Sequence, residues 1–274
     1  MDKKYNIGVF DSGYGGLTIL KEIEKCLPQY NYIYLGDNAR APYGNRSFET
    51  VYKYTLEAVK KLFELDCNII ILACNTASAK ALRSIQQKDL ESIAPERRVL
   101  GVIRPSTEAV DSLSKTKHIG IMGTVGTVKS ESYIIEIQKM YPSISVSQEA
   151  CPMWVPLVEN DEYLHDGADY FIEKNINNLL QKDSLIDTII LGCTHYPLLI
   201  NKIRKYTPQG ITIINQGEIV AKSFSNYLER HPELEKDCLR NGERQYLTTD
   251  STELFDLMGS KFLGRNISSH KILF

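Results

Sequence analysis

Short apolar runs alternate with segments of helical periodicity along the first hundred residues. Four of these runs are typical of buried strands, at Tyr5–Phe10, Tyr32–Leu35, Ile69–Leu72 and Val99–Ile103. Between them, apolar residues recur at three- and four-residue spacing, which is the period of an amphipathic helix. Alternating strands and helices predict a parallel sheet with right-handed crossover connections.

The same pattern repeats in the second half of the chain. Its strands are predicted at His118–Met122, Ile144–Ser147, Thr188–Leu191 and Ile211–Ile214. Equivalent positions such as Ile7 and Ile119 lie 112 residues apart. We therefore predict an α/β fold of two pseudo-symmetric lobes, with mainly parallel sheets flanked by helices and the active site in the cleft between them. The first lobe is expected to span residues 1–98 and the second residues 99–211, with a C-terminal segment, 212–274, that returns to the first lobe.

Two of the predicted strands lead directly into a cysteine. Cys74 follows the third strand of the first lobe, and Cys193 follows the third strand of the second. Open α/β sheets bind ligands at the carboxyl ends of their strands, and a nearby helix N-terminus favours ionisation of a thiol. Because the two cysteines occupy equivalent places, we expect them on opposite sides of one bound molecule.

Such a pair of thiols suits racemisation at a carbon acid. One base removes a proton from one face of the carbon, while a conjugate acid returns a proton to the other face. Asp11 ends the first strand and is expected near Cys74, and His195 lies two residues beyond Cys193. Either side chain can orient a thiol or exchange protons with it. Donors for a substrate carboxylate and for an enolate-like intermediate are Asn75, Thr76 and Thr194.

Composition and charge narrow the functional class. The 274 residues are 43% hydrophobic and 24% charged, with a formal net charge of -2, which argues against disorder and against a nucleic-acid or anionic-membrane surface. The first residues, from Met1, contain no signal-peptide core, and no apolar run approaches the roughly 20 residues that span a bilayer. We therefore expect a soluble, cytoplasmic protein. Its six cysteines form no C-x-x-C pair, so a disulfide scaffold is not expected.

The candidate residues also have alternative interpretations. Cys193 and His195 could form half of a zinc site, but the other histidines lack ligand spacing, so we predict no metal. The glycines of residues 13–16 could cradle a phosphate, although their spacing does not match the dinucleotide-binding fingerprint. Asp11 could simply cap a turn, and Glu159 could be a solvated charge. The placement of the candidates at equivalent strand ends favours the chemical interpretation.

Five motifs carry a resemblance to a known family. They are residues 7–17 (IGVFDSGYGGL), 36–44 (GDNARAPYG), 73–79 (ACNTASA), 150–159 (ACPMWVPLVE) and 191–199 (LGCTHYPLL). In these motifs and their order, the chain resembles the bacterial cofactor-independent glutamate racemases of the aspartate/glutamate racemase family. The resemblance implies interconversion of L- and D-glutamate by two cysteines, without pyridoxal phosphate or metal. It also implies a homodimer that supplies D-glutamate for peptidoglycan synthesis.

The resemblance assigns roles to individual residues. It implies that Cys74 acts on the D-glutamate side and Cys193 on the L-glutamate side, assisted by Asp11 and His195 respectively. The substrate pocket that it implies contains Asp11, Ser12, Tyr43, Gly44, Asn75, Thr76, Thr194 and His195, with Thr124 and Glu159 as supporting members.

Two positions depart from the family pattern. Asn38 stands where threonine is expected, and Arg104 where an acidic residue is usual. Three other functions stay open at this point. They are an aspartate racemase on the same fold, a hydrolase that uses Cys193 and His195 as nucleophile and base, and an amino-acid-binding module without catalysis.

Overall fold

The strands of the protein form two parallel sheets. The computed structural model describes residues 4–274, so the prediction about the first three residues lies outside the described part of the chain. Within that range there are ten strands: β1 (Asn6–Asp11), β2 (Tyr32–Gly36), β3 (Cys67–Leu72), β4 (Arg98–Gly101), β5 (His118–Gly123), β6 (Ser145–Ala150), β7 (Thr188–Gly192), β8 (Thr212–Ile214), β9 (Arg244–Thr248) and β10 (Ser269–Lys271). The larger sheet has the order β10-β9-β2-β1-β3-β4, and the smaller has the order β6-β5-β7-β8.

Helices connect and cover these strands. The α-helical segments of the described residues are α1 (Leu17–Cys26), α2 (Phe48–Glu64), α3 (Asn75–Lys80), α4 (Leu82–Ser84), α5 (Leu90–Ile93), α6 (Ile103–Leu113), α7 (Val125–Lys129), α8 (Ser132–Met140), α9 (Trp154–Glu159), α10 (Gly167–Lys182), α11 (Ile200–Tyr206), α12 (Gln216–Arg230), α13 (Pro232–Glu235) and α14 (Thr252–Leu263). Shorter 3₁₀ turns lie at Asn38–Arg40, Glu162–Leu164 and Tyr196–Leu199, and a π-helical turn lies at Ile85–Asp89. The predicted α/β class, with parallel sheets flanked by helices, is confirmed.

The two sheets repeat one strand order. In the larger sheet β2-β1-β3-β4 are neighbours, and the smaller sheet has the corresponding order β6-β5-β7-β8. The registers also correspond: Phe10 pairs with Leu72 at the carboxyl end of one sheet, and Gly123 pairs with Gly192 at that end of the other. The residues that follow β1, β3, β5 and β7 therefore emerge at equivalent edges of the two sheets.

The larger sheet is buried on both faces, as its continuous apolar runs predict. In β3, Ile69 and Ile71 pack in the same cluster as Leu20 of α1, whereas Ile70 and Leu72 pack on the other face among side chains of α2. Full burial of one such side chain contributes about 1.5–3 kcal/mol relative to exposure. This double burial fixes where β3 ends, and so where the following cysteine stands.

Local sequence explains the ends of several helices. The hydroxyl of Ser47 accepts a hydrogen bond from the N–H of Thr50 at 3.1 Å, so Ser47 is the N-cap that begins α2. At the other end of the chain, α14 ends at Gly264, whose φ of 74° lies in the left-handed region that glycine adopts without strain.

The fourth strand differs from its prediction. It covers Arg98–Gly101 and pairs with β3, so it belongs to the larger sheet. A lobe boundary after residue 98 would therefore separate most of this strand from its own sheet. The predicted strand also extended too far, because Ile103 already begins α6. Pro105 lies in the first turn of that helix, where a proline costs no intrahelical hydrogen bond.

The C-terminal segment is divided between the sheets. Its first strand, β8, pairs with β7 of the smaller sheet. Its later strands, β9 and β10, extend the larger sheet beside β2. The helix between them, α12, packs against α1. A boundary at residue 211 therefore separates β8 from the sheet to which it belongs.

Candidate active site

Cys74 lies at the junction of β3 and α3. It is the N-cap of α3: its Sγ accepts from the N–H of Ala77 at 3.5 Å and donates to Oγ of Ser12 at 3.5 Å. Only 6% of the residue is exposed. Burial, reinforced by the nearby charge of Asp11, raises the pKa of Cys74 to about 12. The Cys74 thiol therefore holds its proton at neutral pH.

Cys193 has the equivalent position after β7 and is paired with a histidine. Its Sγ lies 4.0 Å from Nδ1 of His195, and Nε2 of the same ring lies 3.1 Å from Oε1 of Glu159. Burial alone lowers the pKa of an imidazole, but the contacts with Cys193 and Glu159 outweigh it and raise the pKa of His195 to about 10. These contacts favour the imidazolium form of His195, in which both ring nitrogens donate.

Asp11 is buried at the end of β1. Its Oδ2 accepts from the N–H of Gly13 at 2.9 Å, and its Oδ1 accepts from the hydroxyl of Thr194 at 3.3 Å. Burial raises the pKa of Asp11, while the positive charge of His195 acts in the opposite direction. The hydrogen bonds of Asp11 thus reach the Cys193 side of the site, and its influence on Cys74 is electrostatic.

The two cysteines line one cavity of about 80 Å³. The other predicted site residues in its wall are Ser12, Tyr43, Gly44, Asn75, Thr76, Thr124, Glu159, Thr194 and His195. Asp11 is the exception, because its side chain is fully buried and forms no part of the wall. Asp11 therefore lies behind the wall of the cavity, and its contact with the substrate stays a prediction.

Contacts across the cavity join segments that follow the two sheets. The hydroxyls of Thr76 and Thr124 lie 3.0 Å apart, and the N–H of Gly126 donates to the carbonyl of Gly44 at 2.7 Å. A Cβ on Gly44 would stand 3.0 Å from Cβ of Thr124, so a glycine allows this close approach. These contacts link the two sides of the cavity.

Tyr43 is held in the wall by Asp37, which is fully buried. The Tyr43 hydroxyl donates to Oδ2 of Asp37, as does Nε of Arg40 at 2.7 Å. The other carboxylate oxygen accepts from the hydroxyl of Thr249 at 2.9 Å. Thr249 directly follows β9, so the C-terminal segment supports one wall of the site.

Several wall residues were not among those predicted. They are Ala41, Pro42, Asn45, Val125, Cys151, Pro152, Val155 and Pro156. The duplication offered a signal for the last four, because they follow β6, the counterpart of β2, whose own following segment carries Tyr43. Burial raises the pKa of Cys151 well above the ordinary value for a thiol, so Cys151 is a proton-bearing, apolar part of the wall.

Other classes of site find little support in the described chain. Residues 4–274 contain no cluster of three or more His, Cys, Asp or Glu side chains that could hold a metal ion. The zinc interpretation of Cys193 and His195 thus lacks further ligands in this range. The six cysteines are free thiols. Over the same residues, no helix combines the length and apolar character needed to cross a membrane.

Two thiols at equivalent strand ends around one cavity correspond to a known class of isomerase. The chain belongs to the Asp/Glu/hydantoin racemase family, whose sequence model matches residues 7–223. It is thus an amino-acid racemase. The predicted family resemblance is confirmed.

Its relatives include glutamate racemases. The glutamate racemase of Geobacter metallireducens is 38% identical over 258 residues, which cover 94% of this chain and 92% of the relative. Among solved structures, glutamate racemase isoform RacE1 from Bacillus anthracis superposes with a TM-score of 0.90 at 35% identity, covering 99% of this chain and 98% of that one. The Francisella tularensis glutamate racemase, solved in complex with D-glutamate, gives a TM-score of 0.87 at 31% identity, covering 100% and 98%. Picrophilus torridus aspartate racemase, with a TM-score of 0.56 at 20% identity over 82% of this chain and 94% of that one, shares the fold alone.

Proposed function

We propose that the protein is a glutamate racemase that interconverts L- and D-glutamate by proton transfer between the substrate Cα and two cysteines. The observation that carries the proposal is the placement of Cys74 and Cys193, at equivalent strand ends of two sheets, in the wall of one small cavity. The relatives that match this chain over nearly its full length are glutamate racemases, which favours glutamate over aspartate.

The reaction conserves protons and needs one ionised and one protonated thiol. For L-glutamate, the thiolate of Cys193 takes the Cα proton and the thiol of Cys74 delivers its proton to the opposite face, which leaves Cys193 protonated and Cys74 ionised. The raised pKa of Cys74 suits the donor role. The imidazolium of His195 beside Cys193 supplies the positive charge that a thiolate needs. The reverse direction exchanges the two roles.

Hydrogen-bond donors in the wall would stabilise the substrate and its carbanion. As the Cα proton leaves, negative charge spreads onto the α-carboxylate, and donors placed there lower the barrier. Asn75, Thr76 and Thr194 line the cavity beside the two cysteines. The helix N-terminus that Cys74 caps adds a favourable electrostatic field. The proposed mechanism uses neither pyridoxal phosphate nor a metal.

The cellular role that we propose is the supply of D-glutamate for peptidoglycan synthesis, by a cytoplasmic homodimer. It rests on the family resemblance. Glutamate is the small-molecule substrate, and neither a membrane nor a nucleic acid is a proposed partner. The net charge of -2 agrees with the absence of a polyanion-binding role.

The test uses single cysteine variants in deuterated water. The wild-type protein with L-glutamate should lose optical activity while solvent deuterium enters Cα. Cys74→Ala and Cys193→Ala should each abolish racemisation in both directions, because each turnover uses both thiols. Cys67→Ala is the matched control, since Cys67 is a buried thiol at the start of β3 and does not line the cavity. It should keep wild-type kinetics.

Four outcomes would contradict the proposal, each in a different way. Full two-way activity of either Cys74→Ala or Cys193→Ala would refute the two-thiol mechanism. A higher kcat/KM for aspartate than for glutamate would change the substrate. Tight glutamate binding with no exchange at Cα would point to a binding module, and turnover of an ester probe that labels Cys193 alone would point to a hydrolase.

A further inference from the structure

A buried hydrogen-bond network lies behind one wall residue of the cavity. Asn75 directly follows Cys74 and lines the cavity, but its side-chain amide also contacts residues outside the wall. Its Nδ2 donates to Oε1 of Gln216 at 2.7 Å, and its Oδ1 accepts from the hydroxyl of Tyr133 at 2.7 Å. Gln216 is the first residue of α12, and Tyr133 lies in α8.

Gln216 connects this pair to a third part of the chain. Its Nε2 donates to the hydroxyls of Ser106 at 2.7 Å and Tyr133 at 2.8 Å, and it lies 3.3 Å from the carbonyl oxygen of Val102. These side chains are nearly inaccessible to water, with Asn75 2% and Gln216 3% exposed. An unpaired polar group here would lose its hydrogen bonds without replacement by water, so the network is strongly favoured to stay complete.

The network has a fixed direction. The carbonyl oxygen of Val102 can only accept, and the Ser106 hydroxyl already donates to it at 2.9 Å. Gln216 must therefore face both groups with its NH₂ and point its oxygen at Asn75. Asn75 must then face Gln216 with its own nitrogen. A reversed Gln216 amide would place two acceptor oxygens against each other.

This direction determines what Asn75 offers the substrate. The oxygen of Asn75 is occupied by Tyr133, and one of its two N–H bonds by Gln216. The second N–H is not used by the network and belongs to a residue that lines the cavity. We propose that Gln216 and Tyr133 are positioning residues, which hold the Asn75 amide so that it presents an N–H donor, and not an acceptor, to a carboxylate oxygen of the substrate.

The inference rests on the proposed function, because it assigns the donor to the glutamate carboxylate on which negative charge develops. That carboxylate is common to L-glutamate, D-glutamate and the carbanion between them. The two enantiomers are equally stable, so kcat/KM must fall by the same factor in both directions. A misplaced donor should therefore reduce kcat/KM by about 10- to 100-fold, the loss expected from a displacement on the order of 1 Å.

A double-mutant cycle tests whether Gln216 acts through Asn75. Gln216→Met keeps the volume of the side chain and removes its hydrogen bonds. Tyr133→Phe removes the hydroxyl that donates to Asn75 and accepts from Gln216, and Asn75→Ala removes the proposed contact. Each should lower kcat/KM, and the combination of Gln216→Met with Asn75→Ala should be no worse than Asn75→Ala alone. Gln86→Met is the matched control. It removes a partly buried hydrogen bond to the carbonyl of Val99 at 2.7 Å, and Gln86 is not part of the cavity wall.

The same variants are compared in melting temperature and in calorimetric Kd for glutamate. Gln86→Met should lose stability but keep wild-type kcat/KM and Kd. Tyr133→Phe should lower kcat/KM and raise the Kd for glutamate, even where its melting temperature is unchanged. Wild-type kinetics in Tyr133→Phe, or losses for Gln216→Met and Asn75→Ala that add in the double variant, would overturn the inference. A wild-type protein that binds glutamate without racemising it would instead refute the proposed function. The cycle in Kd would then decide the positioning role by itself.

Discussion

Replacement of Gly15 by alanine should inactivate the protein by displacing His195. A Cβ at position 15 would stand 2.3 Å from Oγ1 of Thr194 and 2.5 Å from Nδ1 of His195. Real Cβ atoms essentially never approach other heavy atoms within 3.0 Å, and 3.4 Å begins ordinary contact. To restore an ordinary contact of 3.4 Å from 2.5 Å, the imidazole would have to move by about 0.9 Å. Alternatively, the backbone of residue 15, which precedes α1, would have to move by a similar distance.

This displacement falls on the contact that matters most for Cys193. Nδ1 of His195 already lies 4.0 Å from Sγ of Cys193, and a further shift would uncouple the ring from the thiol. A misplacement on the order of 1 Å typically costs about 100-fold in rate, or about 3 kcal/mol in the barrier. We therefore expect kcat/KM of Gly15→Ala to fall by about two orders of magnitude.

Gly13→Ala is the matched control for this substitution. Gly13 lies two residues away in the same motif, but a Cβ there would meet its nearest heavy atoms, Nδ2 of Asn38 and Oε1 of Glu159, at 3.6 and 3.9 Å. Neither glycine requires a positive φ, so the two variants differ in space rather than in backbone strain. Racemisation is followed by circular dichroism, and folding by thermal melting. Near wild-type activity of Gly15→Ala, or an equal loss in Gly13→Ala, would refute the reasoning.

Two further predictions concern the charges around the thiols. Glu159→Gln removes the anion beside Nε2 of His195, so the pKa of His195 should fall from about 10 towards the ordinary value of about 6.5. Because the pKa of His195 is raised in the folded protein, its stabilising positive charge is fully present below pH 6.5, the ordinary pKa of histidine. That charge is lost as pH rises through about 10. The alkaline loss of activity should thus move to lower pH in Glu159→Gln and stay in place in the exposed control Glu162→Gln. The measurements are pH–rate profiles and NMR titration of the His195 ring. An alkaline loss at the wild-type pH in Glu159→Gln would contradict this prediction. Asp11→Asn and His195→Asn should change kcat unequally in the two directions, because Asp11 raises the pKa of Cys74 whereas His195 contacts Cys193. Identical effects on kcat, and on the Cα deuterium isotope effect, in both directions for both variants would count against this asymmetry.

Much of the fold follows from local sequence pattern. Strands buried on both faces give continuous apolar runs, which is why β3 and β7 were predicted within a residue or two of their ends. β10 has the sequence Ser-His-Lys and no apolar run. It exists because β9 offers it a pairing edge, and a partner distant in sequence leaves no local signal. The end of β4 was misplaced because Pro105 is equally compatible with a strand end and with the first turn of a helix.

For the site, too, only residues that follow a local sequence pattern could be predicted. Cys74 and Cys193 could be found because each directly follows an apolar strand, and duplication relates them. The contact of His195 with Glu159 spans 36 residues, and that of Asn75 with Gln216 spans 141. Such pairs depend on how α9 and α12 pack against the sheets, which composition and spacing do not encode. Motif resemblance supplied Glu159 but gave no indication of Gln216.

The pairing of β9 with β2 has a consequence for how the chain is made. During synthesis, β2 has no partner on its outer side until residues 244–248 emerge, because the register joins Tyr32 to Arg244 and Gly36 to Thr248. The smaller sheet uses only strands between His118 and Ile214 and can be completed earlier. A nascent chain therefore exposes an unpaired edge on its first-made sheet for most of its synthesis, and such an edge can pair with other chains. Protection of the β2 edge during synthesis, by a chaperone or by rapid completion and release of the chain, therefore affects the yield of folded protein.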